Sequence, residues 1–208
     1  MIIYVEGPRH SGKTYLINEF IKTCKNPNVE YYKFYFGNHI RTLGLDQTES
    51  SEILHYFSLG NIMTIMEMNL QMQYSNKIWV FDRAIISAYV WAELRSRLNS
   101  ETATSEYLKL IQSDLFKNSK TILIKVNNQT DDFQRKKDYW DGLHSTVEEL
   151  QLMDLYITIG NSSLNNTTIG NETFTMINNF DEQSIHQFNS ICNYILKENT
   201  TIWPDYLN

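Results

Sequence analysis

Eight consecutive residues near the amino end, Gly7-Pro8-Arg9-His10-Ser11-Gly12-Lys13-Thr14, carry the spacing Gly-x4-Gly-Lys-Thr, the Walker A pattern. The chemistry open to such a run is the wrapping of a phosphate by backbone amides. Glycine at both ends allows the torsions and the close approach that a tight loop requires. A lysine in the seventh place reaches the β- and γ-phosphates of a nucleoside triphosphate, and the hydroxyl after it ligates Mg²⁺. A helix starting at that lysine directs its positive dipole end at the same anion. Gly7 to Thr14 are therefore the candidate binding residues for ATP and Mg²⁺, with Lys13 also catalytic and Thr14 a metal ligand. A glycine-rich turn that binds no nucleotide is the competing reading.

A second place where chemistry is expected is Asp82-Arg83, at the end of the apolar run Ile78-Trp79-Val80-Phe81. A buried strand beside the loop's own strand would bring Asp82 to the metal and the γ-phosphate, and Arg83 into the same crevice. Asp82 is thus a candidate metal ligand and catalytic carboxylate, and Arg83 a candidate catalytic cation. An ordinary strand-end acid is the alternative. A third place is the basic run Arg135-Lys136-Lys137. As a lid, about residues 129–141, it would close over the phosphates and stabilise transition-state charge. Arg135 is its best candidate because only a guanidinium offers a bidentate fork; a solvated charge run is the bland alternative.

These residues need a scaffold, and the hydrophobic pattern supplies one. Apolar runs alternate with amphipathic stretches, which predicts an α/β domain with a mainly parallel sheet. Strands are expected at Ile2 to Glu6, Val29 to Phe36, Lys77 to Phe81, Thr121 to Val126 and Thr173 to Asn178. Helices are expected from Lys13 to about Thr23, Ser51 to Tyr74, Ile85 to about Leu98, Thr104 to Phe116, Leu143 to about Tyr156 and Asp181 to Leu196, with Asp181 as an N-cap. The stripe Met63, Met66, Leu70 on the second of these reads as core filler. Gly160 to Glu172 reads as a polar surface loop. The reading is one domain over residues 1–208, a three-layer α/β P-loop kinase fold with a five-stranded parallel sheet between helices.

Composition agrees. A chain of 208 residues with 42% hydrophobic and 20% charged residues suits a single folded core. The net charge of −6 gives no global attraction to nucleic acid or anionic lipid. Cys24 and Cys192 have no metal-ligand spacing and read as reduced thiols. The first strand begins at the second residue and no apolar run approaches the roughly 20 residues of a bilayer span. A cytoplasmic protein is expected, without a membrane partner. The Asn-x-Ser/Thr triplets then reflect an asparagine-rich composition rather than glycosylation.

The order of these parts resembles the thymidylate kinase family over nearly the whole chain. Asp82-Arg83-Ala84-Ile85-Ile86-Ser87 is similar to that family's Asp-Arg-x-x-x-Ser. The resemblance implies that Arg83 contacts the acceptor nucleotide, that Asp82 lies near the metal, and that the P-loop and lid functions fall to Lys13, Thr14 and Arg135. It also implies a homodimer. Two positions depart from the family. An acid inside the family's P-loop, which helps hold the acceptor sugar, is replaced by Arg9. The family's Arg-Glu-Pro after strand two, which grips the acceptor phosphate, is replaced by Asn38-His39-Ile40-Arg41, leaving Arg41 as the substitute. Arg9, Arg41 and Arg83 are the expected substrate-binding residues.

Similar scaffolds in bacteriophages phosphorylate 5-hydroxymethyluracil within DNA during thymine hypermodification, and both departures are compatible with such an acceptor. Two acceptors therefore stand: the hydroxymethyl group of that base in phage DNA, acted on in the host cytoplasm, or a free deoxynucleoside monophosphate. Tyr35 or Phe36 could stack on the base, although a core role competes. Other classes fit less well. There is no Asn-Lys-x-Asp for guanine, and Asp-Arg stands where a motor ATPase carries Asp-Glu. A non-catalytic nucleotide-binding module is the remaining alternative.

Overall fold

The computed structural model describes residues 1–33, 77–83, 85–96, 100–111, 119–126, 146–164 and 172–200. The elements in chain order are β1 (Ile2–Glu6), α1 (Lys13–Thr23), β2 (Val29–Lys33), β3 (Ile78–Asp82), α2 (Ile85–Ser96), α3 (Ser100–Ile111), β4 (Ser119–Val126), α4 (Thr146–Leu164), β5 (Glu172–Asn178) and α5 (Glu182–Thr200). All five strands are parallel, in the order β2-β3-β1-β4-β5. β1 therefore lies at the centre, with β3 and β4 on either side of it. That reversal of strand order makes a crevice at the carboxyl ends, where ligands bind in open α/β sheets.

Period-2 alternation sorts the side chains onto the two faces. Ile3 and Val5 of β1, Val80 of β3, Ile122 and Ile124 of β4 and Met176 of β5 pack with Leu16, Ile17 and Phe20 of α1 and with Phe188, Cys192 and Ile195 of α5. Each large side chain buried here contributes about 2 kcal/mol. On the other face Tyr4 packs against Phe81, and Tyr89, Tyr107 and Tyr156 bring α2, α3 and α4 together through edge-on and tilted ring contacts. Three layers result, helices on both faces of one sheet, as the sequence pattern predicts.

The same alternation has a consequence for chemistry. Asp82 shares the parity of Val80 and faces α1. Glu6 shares the parity of Tyr4 and faces α2. The neighbouring register Val5↔Asp82 and Lys33↔Asp82 sets the ends of β1, β2 and β3 side by side.

Several boundaries differ from expectation. α4 does not stop near Tyr156 but continues to Leu164, so Gly160 to Leu164, expected in a loop, are helical. Ile157 and Ile159 prolong an apolar pattern, and a helical Gly160 costs only about 1 kcal/mol relative to Ala. α3 starts at Ser100 rather than Thr104, and α5 runs on to Thr200. The expected Asp181 cap is present: its Oδ1 accepts the Ser184 N–H at 2.8 Å. Arg41, Tyr35, Phe36, the Ser51 to Tyr74 helix, Arg135 and the lid segment lie outside the described residues. Among the described residues no helix is long and apolar enough to cross a membrane.

Candidate active site

The loop between β1 and α1 takes a shape that only its glycines permit. Gly7 has φ 150°, and a Cβ there would sit 2.4 Å from the carbonyl oxygen of Ile124 in β4. Gly12 has φ 81°, and a Cβ would lie 2.2 Å from Nδ2 of Asn178. Gly12 is also the N-cap of α1 and offers no side chain to that helix's first amides, and the first turn holds no acid. The unsatisfied N–H groups and the dipole of α1 are thus left for an anion.

Lys13 is 4% exposed and bends back onto its own loop. Its ammonium donates to the carbonyls of Gly7 at 2.8 Å and Pro8 at 2.5 Å, and to Oγ of Ser11 at 3.0 Å. Burial, and next the Arg83 charge, lower its pKa to about 7, against the pull of Asp82, Glu149 and Glu6. A phosphate entering the loop would replace these neutral acceptors with a formal negative charge.

Thr14 and Asp82 meet as the sequence predicts. Thr14 Oγ1 donates a short hydrogen bond to Asp82 Oδ2, and the Tyr31 hydroxyl donates to the same oxygen at 3.3 Å. A hydroxyl and a carboxylate at the mouth of a phosphate loop are hard oxygen donors, the pair that binds Mg²⁺ alongside substrate phosphates and water. The donor set therefore fits the metal expected here.

Arg83 follows with φ 68°, a left-handed conformation that costs an arginine about 1–2 kcal/mol. The turn is held from three sides. Its own N–H donates to Val5 O at 3.0 Å. Its guanidinium donates to Glu149 Oε1 of α4 at 3.2 Å. Just beyond it, Glu6 accepts the N–H groups of Ile86 and Ser87 at 3.0 and 3.3 Å and a short bond from the Ser87 hydroxyl. Glu6 therefore binds the amino end of α2 as a capping carboxylate. Burial pushes its pKa up, and the Ser87 bonds with the Arg83 and Lys13 charges only partly offset that.

A cleft of about 530 Å³ opens over these groups, lined by Lys13, Thr14, Asp82 and Arg83. Lys33, at the end of β2, joins them from one element and Tyr15 and Phe180 from others. In a chain of net charge −6 this lining is locally basic, as a polyphosphate requires.

Gly7, Gly12, Lys13, Thr14, Asp82 and Arg83 are thus brought together. His10 lines the cleft at φ 59°, while Pro8 and Ser11 serve as acceptors for Lys13. Arg9 contributes its backbone N–H to Glu149 Oε2 at 3.1 Å. Sequence reasoning missed Glu6, Tyr31, Lys33, Glu149 and Asn178. Glu6 had a signal, an acid closing an apolar strand just before the loop glycine. Asn178 had a weaker one, an amide at a strand's carboxyl end. Glu149 had none, because nothing in α4's own sequence separates it from Glu148.

Asn178 is 1% exposed and braces the loop from behind, its Nδ2 donating to Ser11 O at 2.9 Å. Its Oδ1 accepts the Phe180 N–H at 2.9 Å, fixing that residue at φ 61°.

No family model matches the sequence, and no curated protein matches it. Solved structures do. Deoxyadenosine kinase from M. mycoides with bound dCTP is similar at TM-score 0.53 and 17% identity, over 95% of this chain and 100% of that one. Thymidylate kinase from Ehrlichia chaffeensis is similar at TM-score 0.53 and 17% identity, over 94% of this chain and 98% of that one. One of these is named for a nucleoside acceptor and the other for a nucleotide, on a shared scaffold. The five-stranded parallel sheet with its phosphate loop and flanking helices thus gives this chain the fold of the P-loop nucleoside and nucleotide kinases.

Proposed function

We propose that the protein is an ATP-dependent phosphotransferase that moves the γ-phosphate of ATP to a thymidine-like pyrimidine deoxynucleotide. The observation that carries this reading is the meeting of Lys13, Thr14, Asp82 and Arg83 in one cleft at the carboxyl ends of β1 and β3. The loop amides and the start of α1 hold the β-phosphate, and Lys13 exchanges its carbonyl partners for the β- and γ-oxygens. Thr14 and Asp82 would hold Mg²⁺, which when bound would neutralise charge on the transferred group. Arg83 orients the acceptor for in-line attack. Where the acceptor is a hydroxyl, Asp82 would also serve as its base. Most of the acceleration then comes from positioning and fixed charge rather than covalent chemistry.

Arg41 after β2 and Arg135 in the lid complete the site in this reading, gripping the acceptor and covering the phosphates. A free deoxynucleoside monophosphate as acceptor is supported by the likeness to thymidylate kinase from Ehrlichia chaffeensis, whose name gives a nucleotide. The second reading, 5-hydroxymethyluracil in phage DNA, is favoured by the arginine at position 9 of the phosphate loop.

The test is transfer of labelled γ-phosphate from ATP to deoxynucleosides, to deoxynucleoside monophosphates including 5-hydroxymethyl-dUMP, and to DNA containing 5-hydroxymethyluracil. Label in a monophosphate supports the first reading and label in the DNA alone the second. ATP binding with no transfer to any acceptor would leave a non-catalytic nucleotide-binding module.

A further inference from the structure

We propose that Glu149 is a positioning residue: it fixes the Arg83 guanidinium in the cleft and ties it to the phosphate loop through the Arg9 amide. The catalytic consequence rests on the phosphotransfer reading above; the placement rests on geometry.

Glu149 divides its two oxygens between two turns that are far apart in sequence. Oε1 accepts from Arg83 Nη1 at 3.2 Å, across 66 residues, and Oε2 accepts from the Arg9 N–H at 3.1 Å, across 140. The carboxylate side chain is 6% exposed and its arginine partner 17%. A carboxylate so placed stays ionised only if neighbouring charge outweighs desolvation. Here it does. Burial alone would push Glu149 up, yet Arg83, Lys13 and the Arg9 N–H and guanidinium together hold it below the usual carboxylate range.

Arg83 needs such a partner. Its left-handed backbone lies between the end of β3 and the start of α2, and its long stem has many rotamers. With one nitrogen held by Glu149, the guanidinium keeps a single orientation towards whatever enters the cleft. Because the other oxygen holds the loop, a shift on one side is felt on the other. This gives Arg9 a purpose through its backbone.

Glu149→Gln separates the two contacts. The amide oxygen still accepts the Arg9 N–H, and the charge facing Arg83 is gone. With the acceptor identified by the labelled-phosphate assay, kcat/KM for that acceptor is expected to fall about tenfold, with the KM for ATP changed less than about twofold. In an Arg83→Ala background the same substitution is expected to have no further effect. An equal loss in both backgrounds, or a change confined to ATP, would overturn the proposal.

Placement is read independently of turnover by NMR of the arginine side chains. Wild type is expected to show slowed rotation of the Arg83 guanidinium, lost in Glu149→Gln while the Arg9 amide proton stays protected. Free rotation in wild type overturns the proposal even if the variant does not fold, as does unchanged slow rotation in a folded variant. If wild type transfers no phosphate, the phosphotransfer reading fails and the NMR result alone decides the positioning.

Discussion

The two turns that meet at the cleft are built by opposite means. The one after β1 is made largely from its own eight residues: Gly7 and Gly12 set its torsions, and Lys13 bonds Gly7, Pro8 and Ser11 within a separation of six. The one after β3 is held by bonds that reach far along the chain. Its arginine is kept by Val5 and Glu149, and the helix start beyond it by Glu6, from 80 residues away. Phosphate geometry does not vary between substrates, so a local motif can encode it. An acceptor varies in size and charge, and the turn that faces it is set by partners that other segments can change independently.

That contrast can be broken by substitution, beginning with the largest effects. Lys13→Ala removes the cation that the local motif folds onto its own loop. Turnover is expected to fall about 10²–10³-fold while the thermal midpoint moves little, because the lysine's bonds are to its own loop. An unchanged rate in that variant would end the phosphotransfer reading. Glu6→Ala is its counterpart on the other turn, and the expected loss is in stability. The Ile86 and Ser87 amides lose their acceptor in a buried place, costing about 2–4 kcal/mol in denaturant unfolding. Glu6→Gln, which keeps an acceptor, is expected to recover at least half of that. Equal instability of both variants would mean that charge, not the capping bond, holds α2.

A finer test uses pH. Lys13 in the free protein has its pKa lowered to about 7, and a bound polyphosphate raises it. The sign follows: the protonated form binds, so ATP affinity is greatest below about 7. It weakens by up to tenfold per pH unit above that, until the pKa of the bound state is reached. Lys13→Arg, charged throughout, is expected to flatten the slope. A profile equally steep in both proteins would assign the titration elsewhere. The smallest effect belongs to Asn178→Ala, which leaves every residue of the motif in place and removes its brace. The KM for ATP is expected to rise about fivefold, with kcat nearly unchanged.

How much of this was legible beforehand follows the same division. Glycine spacing and the apolar run before Asp82 carry their own physics, so the octet, the parallel sheet and the Thr14–Asp82 meeting were readable without coordinates. Glu149 was not, since a carboxylate's partners are fixed by the packing of α4 on the sheet, which a 3.6-residue pattern does not specify. Helix ends were the weakest part of the reading. Gly160 looked like a stop signal, and the apolar pattern through Ile157 and Ile159 overrode a propensity cost of about 1 kcal/mol.

The contact of Gly12 with Asn178 also bears on how the protein is made. β1 and α1 leave the ribosome well before β5, carrying all eight residues of the phosphate loop. The side chain that braces the Ser11 carbonyl arrives 167 residues later, at the end of β5. A nascent chain halted before that strand has the complete motif and lacks both the brace and the packing of Met176, Phe188, Cys192 and Ile195 against α1. Such a stalled chain is expected to pass over immobilised ATP unretained, so a phosphate loop made early becomes competent only once β5 has followed it.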